Sequence, residues 1–324
     1  MTPGRRRALT GVGYGVVLVL LTLFVRQVPW RAVLLAARTA DPWLLLAATL
    51  LNLVSLAAKG VRWWVFLRRM GVRSLPLVLR ATLAGASLNN LVVAQGGEGA
   101  RVLLVARGAG ISSAPVLAAL AIERAFDAMS YLVLLVAAAW LLTLPEVIGR
   151  WRGAASVALG LVTGGAVLAL ARRDLTRGEG GEGQARQPAR ASPSRVAEYA
   201  QRFRAALHGT AAPLPCAAAA ALSALAWGLQ IATYHLVARA AHSPLPVAGS
   251  IAALLAVGIS FLVRATPGNV GVFQVVYAIT VASFGIARTD AIAVAVLIQV
   301  VQVLPVLLTG LLATGRVSRG IGKP

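Results

Sequence analysis

The sequence has few of the residues on which most enzymes and metal sites depend. Its 324 residues include one cysteine, Cys216, and three histidines, so no intramolecular disulfide can form. The patterns HExxH, CxxC, GxSxG and GxxxxGK[ST] are absent. Metal hydrolysis, thiol redox, acyl-enzyme and nucleotide chemistry therefore lack their usual residues, and we expect neither a cofactor nor a metal ion. An enzyme is disfavoured, although membrane transferases can act with carboxylates and arginines alone.

Acidic and other charged residues are scarce as well. There are 10 Asp and Glu against 31 Lys and Arg, and charged residues make up 13% of a chain that is 58% hydrophobic. One soluble core could not bury that much apolar surface, so the composition predicts an all-α, polytopic integral membrane protein. The basic residues lie mainly in loops, where they orient the helices and meet anionic headgroups. Nucleic acid is the weaker explanation of the charge, and we expect no such partner.

Six apolar runs are long enough to cross a hydrocarbon core of about 30 Å. The first, 9–25, follows three arginines and is not followed by a small-residue cleavage site, so we expect an uncleaved span. The others lie at 42–66, 113–142, 151–171, 214–241 and 289–315. Two further segments, 75–108 and 247–286, are apolar but broken by glycine-rich polar residues. About eight membrane segments are therefore predicted.

The placement of the arginines predicts the orientation in a cell membrane. Both termini and the group Arg62, Arg68, Arg69 and Arg73 fall on the cytoplasmic side if positive residues stay inside. The loops near 26–41, 143–152, 242–246 and 286–290 then fall outside. The first broken segment, 75–108, must then enter the membrane from the cytoplasm and return to it. The second, 247–286, must enter from outside and return outside. Two oppositely inserted hairpins suggest, without requiring, an inverted repeat.

A hydrophilic stretch divides the sequence into two membrane halves, 1–171 and 213–324. The intervening segment, 172–212, is rich in Gly, Pro, Ser and charge, which predicts a flexible basic cytoplasmic linker. Within it, residues 194–207 have the apolar periodicity of an amphipathic surface helix.

The two polar interruptions, 95–99 and 266–271, indicate a binding site between the halves. Backbone can leave the helical ladder inside a membrane only where protein or trapped water satisfies its polar groups. Helices that restart there would point their N-termini at the membrane interior, which favours anions such as phosphate. Arg264 adds a cation, and Thr266 is placed as the N-cap of the restarted helix with Pro267 at its first position. A capped hairpin without a ligand explains the same residues equally well.

Ionisable residues within apolar spans are the other functional signal. Glu98 precedes Arg101 by three residues, and Asp127 follows Glu123 and Arg124 on one helix face. These groups form either structural ion pairs near the cytoplasmic interface or a polar cavity that holds substrate. The sequence around Arg62 resembles an interfacial anchor, and the remaining amides are expected to form hydrogen bonds between helices: Asn52, Asn89, Asn90, Gln230, Gln299 and Gln302.

Three motifs resemble those of the lysylphosphatidylglycerol synthase transmembrane family, whose members are described as flippase-like. They are NLVVAQGGEGAR from Asn90, ERAFD from Glu123 and TPGNVGVF from Thr266. The resemblance covers nearly the whole chain. It implies a polytopic bundle, which in the aminoacyl-phosphatidylglycerol synthases moves the aminoacylated lipid between leaflets. Other members of the family are linked to lipid, hopanoid or polyprenyl-linked glycan pathways. Family members usually have a proline and a basic residue where this chain has Ala94 and Gln95, and often an acid where it has Gln274.

The expected function is translocation of a phosphate-bearing lipid, such as an (aminoacyl-)phospholipid or a polyprenyl-linked lipid. The alternative is an accessory protein that presents a polyprenyl-phosphate sugar to a glycosyltransferase, and a membrane-embedded transferase is third. Aminoacylation by this chain alone is not expected. The expected partners are an anionic membrane lipid and a lipid-modifying enzyme or glycosyltransferase. The candidate substrate-binding residues are Asn90, Glu98, Arg101, Glu123, Arg124, Asp127, Arg264, Thr266, Gly268 and Gly271.

Overall fold

A computed structural model describes residues 28–91, 96–142, 153–154, 156–161, 213–261 and 266–320. These residues form helices and turns and contain no strand. Several predictions lie outside them: the first span at 9–25, most of the span at 151–171, the linker at 172–212 and the cation Arg264.

The described helices follow the apolar runs of the sequence closely. We number them α1 (Trp30–Thr39), α2 (Pro42–Arg68), α3 (Leu75–Leu91), α4 (Gly96–Ala109), α5 (Ser113–Leu141), α6 (Pro213–Ala240), α7 (Val247–Ser260), α8 (Val272–Ala282) and α9 (Arg288–Gly320). A 3-10 turn, Pro267–Asn269, separates α7 from α8.

Three of the described helices are long and apolar enough to cross a membrane: Pro42–Arg68, Leu214–Ala240 and Arg288–Gly310. They confirm a multi-pass membrane protein built as a helical bundle. Helix α5 has 29 residues and covers the predicted span 113–142, but it carries three charged residues. Large apolar side chains stay exposed at intervals of three or four along α2, which is the pattern of a lipid-facing stripe: Trp43, Leu46, Leu50 and Val54.

The chain divides into two compact units. The first combines Met1–Gly60, Pro76–Leu104 and Leu225–Pro324, and the second combines Val61–Leu75 and Val105–Ala224. Each unit therefore draws residues from both sides of the linker predicted at 172–212. The core of the first unit is apolar and aromatic: the ring centroid of Tyr234 lies 6.2 Å from that of Phe273 and 6.4 Å from that of Tyr277.

Three amide side chains of the first unit form a closed ring of hydrogen bonds, which we call the amide ring. Gln302 donates from Nε2 to Oε1 of Gln230 at 2.9 Å, and Gln230 donates to Oδ1 of Asn52 at 3.2 Å. Asn52 in turn donates to the backbone oxygen of Gln302 at 3.3 Å. The ring joins α2, α6 and α9, and it confirms that these amides serve as contacts between helices.

The predicted loop 26–41 contains a helix, α1, which the sequence analysis missed. Val33 is buried against Val28 and against Ala293 of α9. The helix has only 10 residues and includes two arginines, so it lacks the long apolar run from which the other helices were predicted. After it, Asp41 caps α2 by accepting hydrogen bonds from the backbone N–H groups of Trp43, at 2.8 Å, and Leu44, at 3.2 Å.

Candidate functional site

Two broken hairpins bring their breaks together within the first unit. The first consists of α3 and α4, and the second of α7, the 3-10 turn and α8. Their arms have 17, 14, 14 and 11 residues, whereas a straight crossing needs about 20. A Cβ atom on Gly268, in the second break, would lie only 3.5 Å from the carbonyl oxygen of Asn90, next to the first. The two interruptions predicted from the sequence are therefore neighbours in space.

A cavity of about 360 Å³ lies where the breaks meet, and we call it the break cavity. Its polar wall is formed by Asn90, Gly268, Gln274 and Gln299. Its apolar wall is provided by Val270, by Val28, by Trp30 at the start of α1, and by a row along α9: Val296, Val300, Val303, Leu304 and Leu307. That row covers about 16 Å of helix at 1.5 Å per residue. The cavity is thus polar at the breaks and apolar along α9.

A chain of hydrogen bonds holds the second break open. The backbone N–H of Gly271 donates to Oε1 of Gln274 at 2.7 Å, and Nε2 of Gln274 donates to Oε1 of Gln299. Gln299 then donates to the carbonyl oxygen of Gly268 at 2.7 Å. Gly268 and Gly271 have φ values of 60° and 92°, which most other residues adopt only with strain. An ionised carboxylate at 274 could accept from Gly271 but could not donate to Gln299, so glutamine suits this chain of bonds.

The predicted N-cap role of Thr266 is wrong. Its hydroxyl donates to the carbonyl oxygen of Val270 at 2.6 Å, and α8 begins only at Val272, after Gly271. Thr266 and Pro267 instead open the 3-10 turn. Gly268, in the middle of that turn, has a left-handed conformation that a Thr-Pro pattern alone does not reveal.

The first break is held in a similar way by a side chain of its own hairpin. The backbone N–H of Gly97 donates to Oδ1 of Asn89 at 3.0 Å. The two arms also touch through glycines, because a Cβ atom on Gly85 would lie 2.6 Å from the carbonyl oxygen of Gly97. Amide hydrogens at both breaks are thus bonded to side-chain oxygens of the protein, which favours the capped-hairpin interpretation for Gly97 and Gly271.

Two charged residues of the first hairpin were also predicted to line the site. Arg101 is buried, and its Nη2 donates to the hydroxyl of Thr82 at 3.5 Å. Glu98 is half-buried in the first turn of α4. The predicted pairing of Glu98 with Arg101 stays a prediction.

The second unit contains a buried charged group that we call the arginine cluster: Arg62, Glu123, Asp127 and Ser223. Arg62 is fully buried, with 0% of its side chain exposed. Its Nη1 donates to the Ser223 hydroxyl at 2.7 Å, while Nη2 donates to Glu123 at 3.3 Å and to Asp127 at 2.9 Å. Helices α2, α5 and α6 each contribute to the cluster. One guanidinium therefore holds two carboxylates on different turns of α5.

Arg124 adds a second cation to this group. Its Nη1 lies 3.7 Å from Oδ2 of Asp127, which confirms the predicted pairing, but its side chain is 44% exposed. The stronger partner of both acids is Arg62, which sequence reasoning assigned to the cytoplasmic loop charge. Arg62 and Trp63 are completely buried, so the interfacial-anchor interpretation is wrong for both. An arginine inside the predicted span 42–66 was the signal that could have identified it.

Nine of the ten predicted site residues are described, and they lie at the breaks, on α4 and on α5; Arg264 lies outside the described residues. Asn90 and Gly268 line the break cavity, and Thr266 and Gly271 belong to the same break. The remaining described ones are Glu98 and Arg101 on α4 and the three charged residues of α5: Glu123, Arg124 and Asp127.

Comparison with known proteins identifies a family. The family model described as the lysylphosphatidylglycerol synthase TM region matches residues 11–310. No curated protein matches the chain.

Proposed function

We propose that this protein moves a phosphate-bearing lipid between leaflets. The chain belongs to the lysylphosphatidylglycerol synthase TM region family, so it serves a membrane function related to lipids. The observation that carries this proposal is the meeting of the two helix breaks at one cavity, with the Asn90 carbonyl oxygen beside Gly268. Irregular backbone within a membrane normally lines a binding site, and paired broken helices are typical of transporters.

The two walls of the break cavity match the two parts of a lipid. The half-buried side-chain amide of Asn90 offers hydrogen bonds to a headgroup, and the row of valines and leucines along α9 offers a surface to an acyl chain. Val300 is 48% exposed and Leu304 is 51% exposed, so this wall is open on the side where lipid would enter. A guanidinium can bind phosphate through two parallel hydrogen bonds, but Arg101 is buried on α4 outside the described lining of the cavity and Arg264 lies outside the described residues.

A second candidate is supported by the lining of the same cavity. Among its described lining residues there are amides but no charged side chain. Amides suit the hydroxyls of a sugar, which favours presentation of a polyprenyl-phosphate sugar to a glycosyltransferase as the alternative. Such a protein would retain the sugar lipid without exchanging it between leaflets.

Leaflet exchange of a fluorescent phospholipid in proteoliposomes tests the proposal. Gln299→Leu removes the hydrogen bond donated to the carbonyl oxygen of Gly268 and the one accepted from Gln274. Each of these buried polar groups then lacks a partner, which costs about 1–3 kcal/mol. We therefore expect exchange to slow by about tenfold, because a loss of about 1.4 kcal/mol from the conformation that binds the lipid lowers the population of that conformation tenfold.

Thr309→Val is the matched control, because it also removes a polar group of α9 but outside the break cavity, and its hydroxyl bonds to the carbonyl oxygens of Pro305 and Val306 in its own helix. It should keep exchange near the wild-type rate. Equal slowing in both variants would assign the effect to general stability, and no exchange by the wild-type protein would reject translocation.

A further inference from the structure

The second break contains a buried side-chain oxygen to which no described residue donates. Asn269 lies in the 3-10 turn and is 2% exposed. Its Oδ1 has no hydrogen-bond partner in the part of the chain that the structure describes. A buried acceptor is seldom left without a donor, because it gave up its hydrogen bonds to water when the protein folded. Oδ1 therefore indicates a partner that this part of the chain does not provide.

The hydrogen bonds of a neighbouring serine fix which end of this amide is the oxygen. Ser260, the last residue of α7, donates its hydroxyl hydrogen to the carbonyl oxygen of Val257 at 2.7 Å. Because a hydroxyl has one hydrogen, the amide atom of Asn269 that lies 2.9 Å from it must be the donor Nδ2. The backbone of Asn269 has a φ of 58°, which asparagine adopts more readily than most residues. Oδ1 is therefore an acceptor held in one orientation.

The surroundings of this oxygen favour a small cation. Helix α7 ends at Ser260, so the partly negative C-terminal end of that helix lies at the site. The positive end of α8, in contrast, is capped by Gln274 at Gly271. The described residues of the break, 257–261 and 266–271, include neither an acidic nor a basic side chain. Neutral oxygens at the end of a broken helix suit Na⁺, whereas Ca²⁺ and Mg²⁺ sites usually include carboxylates.

We propose that the second break binds one Na⁺ ion at Oδ1 of Asn269. The expectation of no metal ion rested on missing histidine and cysteine patterns, which a site of neutral oxygens does not use. Gly268 and Val270, on either side of Asn269, line the break cavity, so the ion is bound by the segment that forms part of its wall. Binding of Na⁺ requires no movement of lipid, so it stands whether or not the proposed function is correct.

Binding of radioactive Na⁺ to the purified full-length protein tests the site. We expect saturable binding of one ion per chain, displaced by unlabelled NaCl but not by choline chloride at the same ionic strength. Asn269→Gly removes the amide and still allows the positive φ, so it should weaken binding by about tenfold or more without straining the backbone. Asn269→Asp keeps an oxygen and adds a negative charge, so it should bind Na⁺ at least as tightly as the wild-type protein.

Two serines of α7 provide a matched pair for the same measurement. Ser260→Ala removes the group that orients the amide and should weaken Na⁺ binding. Ser250→Ala also removes a buried hydroxyl of α7, but about 15 Å away along the helix, and should leave binding unchanged. Absence of saturable binding to the wild-type protein, as expected if water or Arg264 meets Oδ1, would overturn the proposal. So would equal affinity of the wild-type protein and Asn269→Gly.

Discussion

Replacing Arg62 with glutamine is expected to destabilise the protein by about 3–5 kcal/mol, because it leaves two carboxylates without their shared guanidinium in a buried site. Glu123 is 1% exposed, so water cannot replace the lost hydrogen bonds. The stability of Arg62→Lys should fall between that of the wild-type protein and that of Arg62→Gln. An ammonium keeps the charge but cannot donate to Ser223 and both acids in the same fork-like geometry. Unfolding of the purified protein in detergent by increasing dodecyl sulfate measures the difference.

A combined replacement separates a structural role from a functional one. Arg62→Gln with Glu123→Gln and Asp127→Asn removes the stranded charges and should recover much of the lost stability. Arg68→Gln is the surface control on the same helix; its guanidinium stacks on Trp64 at 4.6 Å, a contact worth at most about 1 kcal/mol. Equal unfolding of the Arg62 and Arg68 variants would show that the arginine cluster does not stabilise the fold. A stable triple variant that no longer exchanges lipid would assign the cluster a role in transport.

The second large effect is expected from Gly97→Ala. A Cβ atom there would overlap the carbonyl oxygen of Gly85 and lie 2.6 Å from Oδ1 of Asn89. Because the first of these atoms is backbone, the two arms of the first hairpin would have to move apart, and the bond between Asn89 and the Gly97 N–H would be strained. Overpacking of this kind costs about 1–3 kcal/mol. We also expect lipid exchange to be lost, because the shift occurs beside the break.

Two neighbouring glycines of the first break provide controls for Gly97→Ala. Gly96 and Gly99 have no atom within 4 Å of an added Cβ. Gly96→Ala should therefore be neutral, and Gly99→Ala, inside α4, should be neutral or stabilising by about 0.5–1 kcal/mol. Melting temperature and exchange rate measured for the three alanine variants decide the matter. Similar behaviour of all three would mean that the glycines serve flexibility in general and not the close approach of the two arms.

Much of the helical architecture could be predicted because apolar length and glycine-rich breaks are local signals. The span predicted at 42–66 is the helix Pro42–Arg68, and the breaks predicted near 95–99 and 266–271 separate α3 from α4 and α7 from α8. Helix α1 was missed because its stability comes from contact with α9, which no window of the sequence contains.

The details of the site depended on long-range contacts and on backbone conformation. Arg62 meets its acids 61 and 65 residues further along the chain, so its sequence neighbours indicated only a basic loop. Glutamine at 274 looked like the loss of an acid, but the structure shows a bonding pattern that needs both a donor and an acceptor. The start of α8 was misplaced because the positive φ values of Gly268 and Gly271, which delay the helix to Val272, are not evident from the sequence Thr-Pro-Gly-Asn-Val-Gly.

The amide ring has a mechanical consequence. Each residue of the ring donates one hydrogen bond and accepts one. Gln302 donates from its side chain to Gln230, Gln230 donates to Asn52, and Asn52 donates to the backbone oxygen of Gln302. A slide of α9 by one residue would turn Gln302 by about 100° and break the ring at both of its ends. The ring therefore favours this register of α2, α6 and α9 over one shifted by a residue. In the proposed translocation we accordingly expect the short hairpin arms to move and these three helices to keep their register.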